Sequence, residues 1–194
     1  DIFLSPHREM LFRELDRLSK RRGVCICLEN NRRNREEQKH DKPDWQCTHN
    51  PIALIEYIRQ NNLENYYLTI DTAHLAASGY DVLKKWEKLK QFLRHDMNSA
   101  IKHFHLVDYD PKTRFDAEIP GRGVVGLQTF KTIIDDLYTL GYDGTMSIEV
   151  APIHYHRQKP ALLWKTLARM LSPFPHNLKE EEGYILRIIQ SLVD

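Results

Sequence analysis

The sequence predicts an α/β fold built on a parallel sheet, and three observations predict it. Four short, mostly apolar runs recur along the chain, at 24–29, 66–71, 101–107 and 145–150. Segments with helical signals separate them, so strand and helix alternate, and strands joined through crossover helices lie parallel. Finally, three of the four runs close on an acidic residue and the fourth carries two histidines, which places polar chemistry at one end of the sheet.

Each element has its own signal. Ser5-Pro6 reads as an N-cap followed by proline at the first helical position, opening a helix to about Arg21 that Gly23 stops. Val24-Cys25-Ile26-Cys27-Leu28-Glu29 is a nearly continuous apolar run, as expected of a parallel strand buried on both faces. After a polar loop, Asn50-Pro51 starts a helix to about Gln60, and Tyr66 to Asp71 forms the second strand. A helix from Asp81 to about Asp96 carries Leu83, Trp86, Leu89 and Phe92 as its expected apolar stripe. Ile101 to Val107 is the third strand, followed by a long loop to about Val125. The helix from about Leu127 to Leu140 stops at Gly141, as a left-handed cap requires. Thr145 to Val150 is the fourth strand, and helices near 160–171 and 179–192 close the chain.

Composition excludes several classes. With 28 basic and 27 acidic residues there is no global charge to attract a nucleic acid or an anionic membrane surface. No apolar run approaches the roughly 20 residues that span a bilayer. The Arg32, Arg33, Arg35 stretch is balanced at once by Glu36 and Glu37 and reads as a solvated loop. Cys25, Cys27 and Cys47 form neither a disulfide framework nor a zinc pair. We expect the first two to be reduced core residues of a cytoplasmic protein, and Cys47 a loop thiol. No segment reads as a signal peptide, and the start at Asp1 suits a processed product or a fragment.

The chemistry collects at the strand ends. Glu29, Asp71 and Glu149 stand at or beside the last apolar position of three strands, and His103 and His105 lie on the fourth. In a parallel barrel these ends converge on the functional face. Carboxylates gathered there without a partner repel one another and are poorly solvated, so a cation is their natural companion. Three carboxylates and an imidazole make a hard set that suits Mn2+, Mg2+ or Co2+, admits Zn2+, and argues against copper or an iron–sulfur cluster.

These residues carry a family resemblance. Leu28-Glu29-Asn30 is followed by Ile70-Asp71-Thr72-Ala73-His74 and Gly79-Tyr80-Asp81. Then come His105-Leu106-Val107-Asp108, Gly121-Arg122-Gly123, Gly141-Tyr142-Asp143-Gly144 and Ser147-Ile148-Glu149. This succession, over about residues 5–150, resembles the xylose-isomerase-like TIM-barrel superfamily of sugar isomerases, sugar 3-epimerases and endonuclease IV. The resemblance implies that Glu29, Asp71, His105 and Glu149 are metal ligands. It places His74 against substrate, or against a second metal in the endonuclease branch. His103 shares the parity of His105 and is expected to be a hydrogen-bonded core histidine, and His154 and His156 loop residues.

By the same resemblance Glu29 and Glu149 are the catalytic pair. They stand on opposite sides of a sugar or sugar phosphate, one taking a proton from the carbon beside the carbonyl and the other returning it through a metal-stabilised enediolate. Arg114 and Arg122, in the long loop, are candidates for holding a hydroxyl or a phosphate. In the family's fold the four motifs belong to the second half of the barrel, and a complete barrel takes roughly 250 residues. We therefore expect residues 1–171 to be a C-terminal half-barrel of four βα units, with 172–194 a helical extension. Its partner is a missing N-terminal half or a second copy of the chain. An endonuclease-IV-like zinc phosphodiesterase acting on abasic DNA is the alternative enzyme. That branch has Asp-x-His where this chain has Asp116-Ala117-Glu118. A non-catalytic barrel fragment is the third reading.

Overall fold

The computed structural model describes residues 6–33, 48–94 and 96–149. Its architecture is α/β, as expected: four parallel strands flanked by helices. In chain order the elements begin with α1 (Pro6–Arg22), β1 (Ile26–Glu29), α2 (Pro51–Gln60), β2 (Tyr66–Asp71) and α3 (Thr72–Ala77). They continue with α4 (Val82–Leu93), α5 (Met97–Ala100), β3 (Ile101–His105), β4 (Asp108–Asp110), β5 (Phe115–Glu118), α6 (Leu127–Thr139) and β6 (Thr145–Ser147). The main sheet runs β1-β2-β3-β6. Asp71 lies level with His105 and His105 with Ser147, whereas Glu29 pairs with Thr69, two residues before Asp71.

Local chemistry starts the helices where the sequence indicates. The Asn50 side chain accepts from the Ile52 amide at 3.1 Å ahead of Pro51, and Asp81 accepts from Lys84 at 3.1 Å. Gly141, at φ +65°, ends α6 in the left-handed conformation that favours glycine.

The core lies between the outer face of the sheet and the helices. Leu68, Ile70, Ile101 and Phe104 from the two central strands pack with Leu54, Ile55, Trp86, Leu89, Phe130, Ile133 and Leu137. Phe104 is fully buried and meets Trp86 and Tyr142 edge-on, with ring centroids 5.8 and 5.5 Å apart. Leucine- and phenylalanine-sized side chains contribute about 1.5–3 kcal/mol each when fully buried, so this layer carries most of the stability.

Several expectations are corrected. β1 is not buried on both faces: it alternates half-buried and exposed, and both Cys25 and Cys27 are exposed rather than core. Among the described strands β1 has β2 as its one neighbour and is an edge strand. The apolar stripe of α4 is Val82, Trp86, Leu89 and Leu93, while Leu83 points outward, because the 3.6-residue period turns that position off the core. That helix ends at Leu93, and the short α5 follows before β3. The segment after β3 is not simply a loop. It folds into an antiparallel hairpin, β4 with β5, closed by an Asp110 turn whose carboxylate accepts from the Lys112 amide and the Thr113 hydroxyl. The fourth strand spans only Thr145–Ser147. The expected helices at 160–171 and 179–192, Cys47, His154 and His156 lie outside the described residues.

Candidate metal centre

Each strand of the sheet delivers one of the four expected ligands to the same end. Glu29 is the last residue of β1, Asp71 of β2 and His105 of β3, and Glu149 follows β6 by two residues. One ligand atom from each of Glu29, Asp71 and His105 lies within 4.8 Å of the others. His105 Nδ1 stands 3.1 Å from a Glu149 oxygen, 3.5 Å from Asp71 Oδ2 and 3.8 Å from Glu29 Oε1.

Backbone and side-chain locks hold these ends together. Asn30, fully buried, receives the Asp71 amide on Oδ1 at 2.8 Å and donates its amide to the Asp71 carbonyl at 3.1 Å. It thereby continues the β1–β2 ladder one residue past its end. Thr72 ties β2 to β3 in the same way, donating to the Val107 carbonyl at 2.6 Å and accepting the Val107 amide at 2.9 Å. Asp71 divides its two oxygens between roles. Oδ1 caps α3 by accepting the His74 amide at 2.7 Å, and Oδ2 faces the imidazoles.

His74, on α3, closes the cluster from above β1. Its Nδ1 stands 3.0 Å from Glu29 Oε1 and 2.9 Å from the Asn30 carbonyl, which can only accept, so Nδ1 carries the hydrogen. Burial alone lowers the His74 pKa, but the Glu29 hydrogen bond and the Asp71 and Glu29 charges prevail and raise it to about 9. Glu29 responds in the opposite sense: the hydrogen bond from His74 holds its carboxyl below the usual range. The Asp71 carboxylate, with Glu29 and Glu149 adding, raises His105 against its burial.

The donor set passes a direct test of fit to a cation. His105 Nδ1 is buried, has three carboxylate oxygens around it within 4 Å, and makes a well-directed hydrogen bond to none of them. A buried nitrogen with three carboxylate oxygens within 4 Å is a donor set of the kind that suits a hard divalent ion.

The remaining expectations are placed as follows. His103 is hydrogen-bonded, as expected, to the Thr145 and Ser147 hydroxyls, and is half-buried rather than core. Arg114 lies in the hairpin turn and Arg122 in the loop after it, both exposed. Three contributors went unread as such in the sequence. Asp116 on β5 sits 3.9 Å from His74 Nε2 and pairs with Arg32 at 3.1 Å, brought there by the hairpin. Asp108 is fully buried and accepts backbone amides from Tyr109, Gly121, Val125 and Gly126 at 2.8–3.2 Å. It thereby shapes the loop that carries Arg122. A side chain at Gly123 would place its Cβ 2.3 Å from Asp108 Oδ1, so glycine is required for the close approach. Asn30 adjoins Glu29 in the strand-end motif, the one signal that pointed to it.

Comparison with known proteins agrees with this fold. A family model described as xylose isomerase-like TIM barrel matches residues 8–173. The crystal structure of a 3-keto-D-glucoside 4-epimerase from E. coli, in its apo form, is similar at a TM-score of 0.50 and 17% identity. The match covers 84% of this chain and 51% of that one, so the chain spans about half the length of that structure. No curated protein matches the chain in sequence.

Proposed function

The chain belongs to the xylose isomerase-like TIM barrel family, and from that premise we propose that it is part of a divalent-metal-dependent isomerase or epimerase of a sugar or sugar phosphate. The observation that carries this reading is the cluster of Glu29, Asp71 and His105, with a Glu149 oxygen 3.1 Å from His105 Nδ1. Glu29, Asp71, His105 and Glu149 would hold the ion, with Mn2+, Mg2+ or Co2+ suited to the set and Zn2+ admitted. A divalent ion there supplies a Lewis acid for the substrate carbonyl. The chain's own carboxylates move the proton. Glu29, kept ionised by His74, is equipped to take it from the carbon beside the carbonyl, and Glu149 to return it on the opposite face. His74, with Arg114 and Arg122 on the hairpin side, is proposed to bind substrate hydroxyls or a phosphate. The sugar class itself rests on the family resemblance.

The zinc phosphodiesterase alternative draws less support from the residues that surround the ligands. Asp116, which such a cluster would recruit for a further ion, is already offset by Arg32 and His74, and Glu118 turns back to its neighbour's amide, Ile119 N, at 2.9 Å. The other wall of the site is proposed to come from a complementary half-barrel. β1 has an unpaired edge among the described residues, and the α1 beside it exposes Met10, Leu11, Leu15 and Leu18. No helix among the described residues is long and apolar enough to cross a membrane.

Elemental analysis of the purified protein beside Glu149→Gln tests the reading. We expect about one equivalent of Mn, Mg or Co per chain, weakened in the variant, with epimerase or isomerase turnover abolished and helical content intact. Two or three zinc ions per chain would favour the phosphodiesterase. Turnover retained in Glu149→Gln would sink the proton-transfer scheme.

A further inference from the structure

One row before Asp71 and His105, level with Glu29 in the strand register, lies a set of polar side chains on the same inner face of the sheet. His103 precedes His105 by two residues on β3, so the two side chains share a face. Its backbone partners are Thr69 on β2 and Thr145 on β6. Both ring nitrogens are engaged: Nδ1 lies 2.6 Å from Thr145 Oγ1 and Nε2 lies 3.0 Å from Ser147 Oγ. Thr145 Oγ1 also donates to the Lys102 carbonyl at 3.4 Å, so a neutral His103 that donates from Nδ1 and accepts from Ser147 at Nε2 satisfies every partner. The His103 and His105 rings meet edge to face, with centroids 4.8 Å apart and planes at 85°.

Two consequences follow from this arrangement. β6 is three residues long, is largely exposed and has β3 as its one neighbour among the described strands. Its backbone ladder alone is a short anchor, and the two hydroxyl contacts extend that anchor onto the inner face. Glu149 stands two residues beyond Ser147, so the angle at which β6 leaves the sheet sets where that carboxylate arrives. The His103 ring also abuts His105, whose Nδ1 must keep its aim without a directed hydrogen bond of its own. A ring that meets a perpendicular neighbour has fewer orientations open to it than one facing solvent.

We infer that His103 is a positioning residue for the metal centre, clamping β6 to β3 through Thr145 and Ser147 and buttressing the His105 ring, so that Glu149 and His105 face one point. This rests on the metal reading of the site. It adds to it a residue that touches neither ion nor substrate, of the kind whose loss weakens metal binding by about 10- to 100-fold.

The test measures metal binding rather than turnover, in the full chain. Mn2+ affinity is followed by electron paramagnetic resonance, and ligand geometry by the visible spectrum of the Co2+-loaded protein. His103→Phe keeps a flat ring and removes both hydrogen bonds; we expect its Mn2+ Kd to rise roughly tenfold or more and its Co2+ spectrum to change. His103→Gln, whose amide offers a donor and an acceptor, should recover part of the loss. The double variant Thr145→Val/Ser147→Ala keeps the imidazole, should weaken binding in the same direction, and carries the test if His103→Phe does not fold. Trp86→Phe, which loses an indole bond to Asp136 on the outer side of the sheet, controls for general destabilisation and should leave the Kd unchanged. Wild-type affinity and spectrum in both His103→Phe and the double variant would overturn this inference and leave the metal reading standing. No Mn2+ bound by the wild-type chain would overturn both.

Discussion

The central strands and the edge strands of this sheet do different work. β2 and β3 bury Leu68, Ile70, Ile101 and Phe104 against the helices, whereas β1 alternates with solvent and β6 is largely exposed. Yet the candidate metal centre draws one residue from the end of each of β1, β2 and β3 and a fourth from just beyond β6. Stability is concentrated on the outer face of the centre, and chemistry is spread along one end of the inner face, edges included. Phe104 and His105 are adjacent in sequence and fall on opposite sides of that division. The division also explains where the locks sit. Asn30 and Thr72 fasten strand ends that the short ladders of β1 and β2 leave unsupported just where carboxylates crowd together.

Phe104→Ala makes the largest break. Emptying a fully buried phenylalanine site costs about 3–5 kcal/mol, a fall in Tm of roughly 10 °C for a chain of this size. If the two regions are separable, the variant held well below its Tm still binds metal with near wild-type affinity. Calorimetry and a Mn2+ titration on the same sample decide this. A Kd that worsens in proportion to the lost stability would mean that the centre has no independence from the core.

Asp108→Ala probes the boundary between the regions and ranks second. The carboxylate is fully buried and accepts four backbone amides, and stranding buried donors costs about 1–3 kcal/mol each before relaxation and water entry. We expect about 3 kcal/mol of destabilisation in urea, with accelerated amide exchange confined to the loop at 119–126. Exchange that accelerates evenly across the sheet would show that Asp108 belongs to the core rather than to the functional end.

The sequence made the four strands and the strand-end ligands legible because each depends on short-range pattern. Apolar runs mark strands, Asn50-Pro51 and Asp81 mark helix starts, and parity places His103 with His105. What escaped depends on partners far away in the chain. Nothing local distinguishes Asp108 from any acidic loop residue, since three of its four partners are main-chain amides 13 to 18 residues on. The β4–β5 hairpin is short and rich in charge, which hides its period. Cys25 and Cys27 look like core residues because the run around them is apolar, and their exposure follows from β1 being an edge. The hydroxyl partners of His103 required the β3–β6 register, which no local signal encodes.

The smallest effect lies wholly on the stabilising side. Tyr66, at the start of β2, donates its hydroxyl to the Phe12 carbonyl at 3.2 Å and meets the Phe12 ring edge-on, tying α1 to the sheet. Burial, with the Asp16 charge adding, raises its pKa to about 12, against about 10 in an unfolded chain. A phenol kept protonated by the fold contributes stability that is fully present below the unfolded value and is lost as pH rises through the folded one. Tyr66→Phe should therefore cost about 1 kcal/mol near neutrality, and the gap between wild type and variant should shrink as pH rises from about 10 to about 12. Other alkaline groups titrate in both proteins and drop out of the difference. A gap that stays constant over that range would mean that the buried phenol does not titrate with the fold. A change in Mn2+ affinity would mean that α1 reaches the metal centre, against the separation drawn from Phe104 and His105.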